Sequence, residues 1–367
     1  MISEKPIYVT MPSLCPQKEY GEILKSAWDS GILTHNGPLV QKLEKDIDKY
    51  LNSKNLVMMT NGTVALQLAI KALDLKGEII TSPFSWIATC SAIRWERCEP
   101  VFADIDPETL NIDPTKIEAA ITDKTVAIMP VHVFSNPCDI EAINTIAKKH
   151  GLKVIYDAAH ATAVNYNNQP ILEYGDISTV SFHATKLLNS GEGGGCVTMD
   201  DNLFQRLRRL RFFGHDNVTK EIVEDGQNAK MTEVHAALGL ANLLHLDTVR
   251  ANRKHKYKLY QKLLGGRADL HWQKYKEDEY NYSYMPLIFD SEEALLKVMK
   301  ALNEANVFPR RYFYPSLNTM DKVFAYVEMP ASEDIAKRIV CMPLFNDLPD
   351  KIIEDICELT IKTLDSR

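Results

Sequence analysis

Two stretches of this 367-residue chain carry side chains whose types and spacing could do chemistry. In SFHATKLLNSGEGGGCV, residues 181–197, Lys186 follows a threonine and precedes a glycine-rich turn. A loop lysine is either a solvated charge or, in a buried glycine-lined site, an amine able to form an imine with a carbonyl. In KVIYDAAHA, residues 153–161, an apolar strand ends on Asp157, with His160 one turn on. An acid at a strand end also reads as a cap or a surface ion pair. Asp157 lies 29 residues before Lys186, one strand-to-strand step in a chain that alternates β and α units. Two neighbouring strand ends would then carry a carboxylate and an amine into one crevice. Such a pair suits pyridoxal 5'-phosphate (PLP): the lysine holds the aldehyde as an imine, and the carboxylate keeps the pyridine nitrogen protonated so that the ring accepts electrons.

Other segments extend this reading. MMTNGTVALQLAIKAL, residues 58–73, is a strand, a turn and a helix starting near Thr63. The free N–H groups of a helix start suit an anion, and Gly62 lets it approach the backbone, although an ordinary N-cap by Asn61 or Thr63 has the same pattern. Trp86, in TSPFSWIATCSAIRW, follows another strand end and is either a core ring or a surface for a flat heteroaromatic cofactor. The glycine cluster is no dinucleotide fingerprint. After Gly191 and Gly193 that motif needs glycine at 196, where the chain has Cys196. With HExxH, GxSxG and zinc-type Cys/His spacing also absent, NAD-dependent oxidoreductase, metalloprotease and serine-hydrolase readings have no support.

The elements that must position these residues are legible as pattern. From about 55 to 215, short β-branched runs (NLVMMT, EIITSP, PVFADI, TVAIMPVHVF, LKVIYDA, ISTVSFH, GCVTM) alternate with helical segments at 63–74, 115–121, 138–150 and 201–212. Alternation of this kind predicts an α/β fold with a mainly parallel sheet covered on both faces, whose functional residues sit at strand carboxyl ends. Residues 231–264 read as one long helix stopped by Gly265–Gly266, and beyond it come strand-like YSYMPLIF and helices at 291–305 and 350–364. The expected division is a large domain over 1–240 and a smaller C-terminal α/β domain over 241–367. Lysine and arginine number 42 against 49 acids, a net charge of −7, which argues against nucleic acid or a membrane surface as partner. Seven scattered cysteines without a CxxC pair read as reduced thiols. The start MISEKPIYVTMPSLC lacks a signal-peptide core, and no run approaches a membrane span, so a cytoplasmic protein is expected.

Taken in order, LTHNGPLVQKLE, NGTVAL, SPFSWIATCSAI, PVFADIDPETLNID, MPVHVF, DAAHA, SFHATK with GEGGG, GQNAKMTEVHAALGL and FYPSL resemble the DegT/StrS-type nucleotide-sugar aminotransferases nearly end to end. The resemblance implies the PLP-dependent transferase (aspartate-aminotransferase-like) fold with a seven-stranded sheet in its large domain. It makes Lys186 the Schiff-base lysine and Asp157 the acid on the pyridine nitrogen. His160, at a position commonly Gln, would face the ring's 3-oxygen, and Trp86 would stack on the ring. Gly62, Thr63 and Ser181 would hold the phosphate. Asn228 matches an asparagine that reaches the phosphate from the neighbouring subunit, so a homodimer with shared sites is implied. Two departures stand out: Lys230 occupies a position often Arg, and Asn318 replaces the histidine of a YPPLH motif, toward the substrate.

The implied reaction is ping-pong transamination, L-glutamate giving its amino group and a nucleotide-linked keto-sugar receiving it. VHVF, SFHATK and PRRYFYPSL look most like the group that aminates C-4 of a dTDP-4-keto-6-deoxyhexose for bacterial surface polysaccharide such as O-antigen; amination at C-3 is the alternative. Lysine rather than histidine at 186 favours amination over sugar dehydration. A non-catalytic regulator is the reading from another class, and no helix-turn-helix or basic domain supports it. Candidate cations for the sugar's diphosphate are Arg250, Arg253 and Lys254 on the long helix, and Arg310 and Arg311 before YFYP, where Tyr312 and Tyr314 could also line the pocket. A solvated helix face and a basic loop account for the same residues.

Overall fold

The computed structural model describes residues 2–216 and 218–366. The first strand, β1 (Ile7–Tyr8), precedes two helices, Gln17–Ser30 and Pro38–Leu51. Five strands follow with crossover helices between them: β2 (Leu56–Met59), β3 (Glu78–Thr81), β4 (Glu99–Phe102), β5 (Thr125–Ile128) and β6 (Lys153–Asp157). A hairpin of β7 (Asn165–Tyr166) and β8 (Gln169–Pro170) then leads to β9 (Ile177–Ser181) and β10 (Gly194–Val197). The central sheet has seven strands in the order β2-β10-β9-β6-β5-β3-β4, and only β10 runs against its neighbours.

The alternation of side chains along each strand explains the covering on both faces. Met58 belongs to the core that also holds Leu43, Ile143 and Ala236, from helices on one side. Its neighbours Val57 and Met59 point the other way, into the core that holds Ala65, Ala92 and Leu207. Every residue of β9 is buried, with the Ser178 and Thr179 hydroxyls bonded to the Tyr174 and Tyr156 carbonyls, and the strand ends on Ser181 as β6 ends on Asp157. Those two ends are adjacent, because β6 and β9 are parallel neighbours with Asp157 opposite Thr179.

A second core collects Tyr257, Tyr260, Leu287, Leu295 and Ile353 around the antiparallel strands β11 (Leu270–His271), β12 (Pro286–Phe289) and β14 (Ile339–Cys341). Helices Leu246–Leu264, Glu292–Glu304 and Asp350–Asp365 cover it. The chain's beginning joins this unit: β1 pairs in parallel with β13 (Val307–Phe308), and Ile7 lies in the second core.

Two expectations change. The predicted helix over 231–264 is two helices, Glu233–Leu243 and Leu246–Leu264, separated at Leu244, which is 71% exposed. The first is mostly apolar and packs against helices Gln17–Ser30 and Pro38–Leu51, and the second is charged and follows the other core, so one straight axis cannot serve both. The run TVAIMPVHVF is a strand only through Ile128. Pro130 offers no ladder N–H; residues 129–132 keep backbone bonds to Ile80 and Asp157, and the chain then enters a short 3₁₀ turn, Val133–Ser135, in which Phe134 has φ 54°.

Candidate active site

The site is built at the carboxyl ends of the parallel strands, beginning where β2 turns into a helix. Asn61 is extended, and its side-chain oxygen accepts the Val64 N–H at 2.9 Å, capping helix Gly62–Ala72. The Gly62 and Thr63 N–H groups precede any intrahelical acceptor and find none elsewhere among the described residues. Two glycines make this corner tight. A Cβ on Gly62 would come within 3.0 Å of the Ser181 Cβ, and one on Gly194 within 2.4 Å of the Gly62 nitrogen. Free amide donors, a helix N-terminus and the Ser181 hydroxyl therefore converge on one point, an arrangement suited to a phosphate.

Asp157, only 5% exposed, ends β6. Its Oδ2 accepts the Thr89 hydroxyl at 2.8 Å, and Oδ1 accepts the Ala159 N–H at 3.1 Å. Burial raises its pKa above the usual carboxylate range, while Thr89, the Ala159 amide and the Lys186 charge pull it back. A carboxylate left short of compensation in this way would gain from a cationic N–H, which is what a pyridinium nitrogen offers. Lys186 lines the same cavity and donates from Nζ to the Tyr284 hydroxyl at 3.1 Å. Burial lowers its pKa to about 8, against the pull of Asp157. His160 accepts the Phe134 N–H at Nδ1 (3.2 Å), and burial holds it well below its usual pKa. It is thus a neutral imidazole with Nε2–H as its remaining donor.

These groups surround a cavity of about 600 Å³. Trp86 lines it with 54% of its surface exposed, an open aromatic face beside the acid and the amine. A flat, phosphorylated, basic heterocycle with an aldehyde meets a partner for each of its parts, so the residues present fit PLP.

The candidate substrate residues divide. Arg310 and Tyr312 line the cavity; the Arg310 guanidinium lies 5.5 Å from the Trp86 ring and 5.0 Å from that of Tyr312, and its backbone is held to Cys341 by two hydrogen bonds. Arg311 and Tyr314 do not line it. Arg311 turns away to Glu292 at 2.6 Å and the Lys337 carbonyl at 2.9 Å, with its guanidinium on the Tyr314 ring. Arg250, Arg253 and Lys254 also lie outside. Arg250 bonds the Tyr50 hydroxyl, Lys254 pairs with Glu277, and Arg253 is fully buried against the Ser283 carbonyl, because the long helix serves the second core. Asn228 is exposed, apart from this chain's cavity, and accepts from Lys230 Nζ at 2.6 Å. Asn318 is buried and donates to the Val327 carbonyl and Glu333, a structural duty.

Sequence reasoning missed Thr89 and Tyr284. Thr89 stands in the first turn of helix Ala88–Trp95, three residues after Trp86, but meets Asp157 across 68 residues of chain. Tyr284 had no signal, because it meets Lys186 across 98 residues of chain.

A family model described as the DegT/DnrJ/EryC1/StrS aminotransferase family matches residues 15–360. The chain is 40% identical to a dTDP-4-amino-4,6-dideoxy-D-glucose transaminase of Shigella dysenteriae, over 96% of this chain and 98% of the relative. It is 36% identical to a transaminase of the same name from Escherichia coli, over 98% and 99%. A crystal structure of DesI in the presence of its TDP-sugar product superposes with a TM-score of 0.94 at 31% identity, covering 100% of this chain and 95% of that one.

Proposed function

The chain belongs to the DegT/DnrJ/EryC1/StrS aminotransferase family, and from that membership we propose that it moves an amino group from L-glutamate to C-4 of a dTDP-linked 4-keto-6-deoxyhexose. It is a PLP-dependent sugar aminotransferase with the PLP-transferase fold. The observation that carries the reaction type is a lysine amine and a buried acid lining one cavity whose far corner is an anion cradle. The sugar is drawn from the two dTDP-4-amino-4,6-dideoxy-D-glucose transaminases that the chain resembles over nearly its whole length.

When bound, PLP supplies an electron sink for the carbon that loses or gains a proton. The chain's own residues do the rest. The Gly62 and Thr63 amides and the Ser181 hydroxyl would hold the phosphate, and Trp86 would cover one face of the ring. Asp157, oriented by Thr89 and the Ala159 amide, keeps a proton at the ring nitrogen. The Nε2–H of His160 would serve the ring's 3-oxygen. With a pKa near 8, Lys186 has an appreciable neutral fraction close to neutral pH. Its Nζ removes the proton from Cα of the amino acid and, in the second half-reaction, delivers one to the sugar carbon being aminated. Arg310 is the guanidinium placed to meet the diphosphate, with Tyr312 beside it.

The working form is a homodimer in which Asn228 of each subunit completes the other's phosphate site. No helix among the described residues is long and apolar enough to cross a membrane. The amino sugar would go to surface polysaccharide such as O-antigen. The test supplies purified enzyme with PLP, L-glutamate and either the 4-keto or the 3-keto dTDP-6-deoxyhexose. Formation of 2-oxoglutarate together with an amino-sugar mass from the 4-keto compound is expected. Product from the 3-keto compound alone would overturn the C-4 assignment.

A further inference from the structure

We propose that Tyr284 is a positioning residue for the Lys186 amine, holding it through the steps in which that amine is free. The proposal rests on the reading of Lys186 as the group that moves the proton. Lys186 Nζ donates to the Tyr284 hydroxyl at 3.1 Å, the one side-chain hydrogen bond of that amine among the described residues. Tyr284 comes from the segment entering β12, so the contact joins the second core to the catalytic lysine. Its position is over-determined. Asn281 donates to the carbonyls of His160 and Thr162 at 2.9 and 2.8 Å, and Arg253 donates to the Ser283 carbonyl at 3.0 Å. The ring lies 4.5 Å from His160, 5.4 Å from Phe134 and 5.8 Å from Tyr312, centroid to centroid.

A phenol suits this duty because its hydroxyl both accepts and donates. It takes an N–H from the ammonium and, after rotation about the C–O bond, offers its own O–H to the neutral amine's lone pair. One fixed ring can therefore orient the amine before and after it takes up a proton. The ionisable groups around it are Asp157 at the end of β6, His160 in the loop after it, Lys186, Arg253 of helix Leu246–Leu264, Arg310, Tyr312 and Cys341. Burial pushes the phenol up and the two arginines pull it back, so it stays protonated across the working range. Arg253, whose Nη donates to the Ser283 carbonyl next to Tyr284, is fully buried, with Nε and its other Nη lacking a partner among the described residues.

Tyr284→Phe tests the proposal, because it removes the hydroxyl and keeps the packed ring. The first arm uses PLP-free protein. Acylation of Lys186 by acetic anhydride, followed by peptide mass spectrometry as a function of pH, reports that amine's titration. Loss of the oxygen acceptor should move it down by about half a pH unit or more. The second arm uses holoenzyme and L-glutamate in single turnover, read by visible absorbance. A rate constant about tenfold lower, with the apparent Kd for glutamate within about twofold, marks loss of orientation rather than of binding. A folded Tyr284→Phe protein whose Lys186 titration and single-turnover rate both match the parent would overturn the proposal. Neither arm uses a sugar nucleotide, so an error in the sugar assignment moves neither result.

Discussion

Lys186 and Asp157 are displaced toward each other in pKa, the amine down and the acid up, because both lose water in one cavity. For the amine the consequence is direct. An ordinary lysine becomes a nucleophile only near pH 10.5, whereas Lys186 is neutral above about 8. The rate at which PLP-free protein takes up PLP, followed by growth of the visible band, should rise with pH and level off near 8 rather than beyond 10. Lys186→Ala should lack the band and lose at least about 10³-fold in turnover, since both the covalent anchor and the proton carrier go together. For the acid, Thr89 is the informative neighbour. Its hydroxyl favours the charged carboxylate, so Thr89→Val should raise the Asp157 pKa further. The acid limb of the glutamate half-reaction should then move to higher pH, with about a tenfold loss near neutrality, in line with a buried hydrogen bond to a charged group. An acid limb unchanged in this variant would separate Thr89 from the function of Asp157.

The elements are what bring Lys186, Asp157 and Gly62 to one place, and the closest fit is between a strand and a helix start. At Gly194 any Cβ would press within 2.4 Å of the Gly62 nitrogen, so β10 can lie beside the first turn of helix Gly62–Ala72 only with glycine there. Gly194→Ala should cost about 1–3 kcal/mol of stability by overpacking and should weaken PLP retention more than tenfold, because the displaced peptide carries a phosphate donor. Dialysis of the holoenzyme with absorbance readings checks the second effect. This corner also shows how far the sequence could be read. The strand–turn–helix at 58–73, the two strand ends and the crossover helices Pro114–Ala119 and Ile140–His150 followed from period and punctuation and lie within a few residues of expectation, whereas the crossover helix Ala88–Trp95 was not read. Contacts made through folding alone did not follow either. Thr89 meets Asp157 across 68 residues and Tyr284 meets Lys186 across 98, distances at which no local pattern survives. The basic run on the long helix failed for a related reason: charge in a sequence does not say which core a helix will cover, and this one turns Arg253 inward to Ser283.

At the scale of the whole molecule, one segment carries Asn228, the residue expected to reach a neighbouring subunit's phosphate site, away from this chain's own cavity. Asn228 follows a loop in which Phe213 is 47%, Ile222 71% and Val223 51% exposed, and further apolar side chains, Leu14 at 67% and Trp28 at 66%, stand bare on the N-terminal segment. Exposed apolar side chains of this kind are what a subunit interface would cover. If Asn228 crosses that interface, a catalytic site belongs to two chains, and genetics on the pair can show it. Consider a dimer with Lys186→Ala in one subunit and Asn228→Ala in the other, isolated by two different affinity tags. In the shared arrangement one site inherits both defects, while the other combines an intact Lys186 with an intact Asn228. About half of the parent's activity should return in that heterodimer, with parent-like PLP affinity at the surviving site. If each subunit instead used its own Asn228, no intact site could form, and the heterodimer would show only half the activity of the Asn228→Ala homodimer. The two arrangements thus differ by the whole effect of the asparagine, measured in one assay of glutamate half-reaction rate.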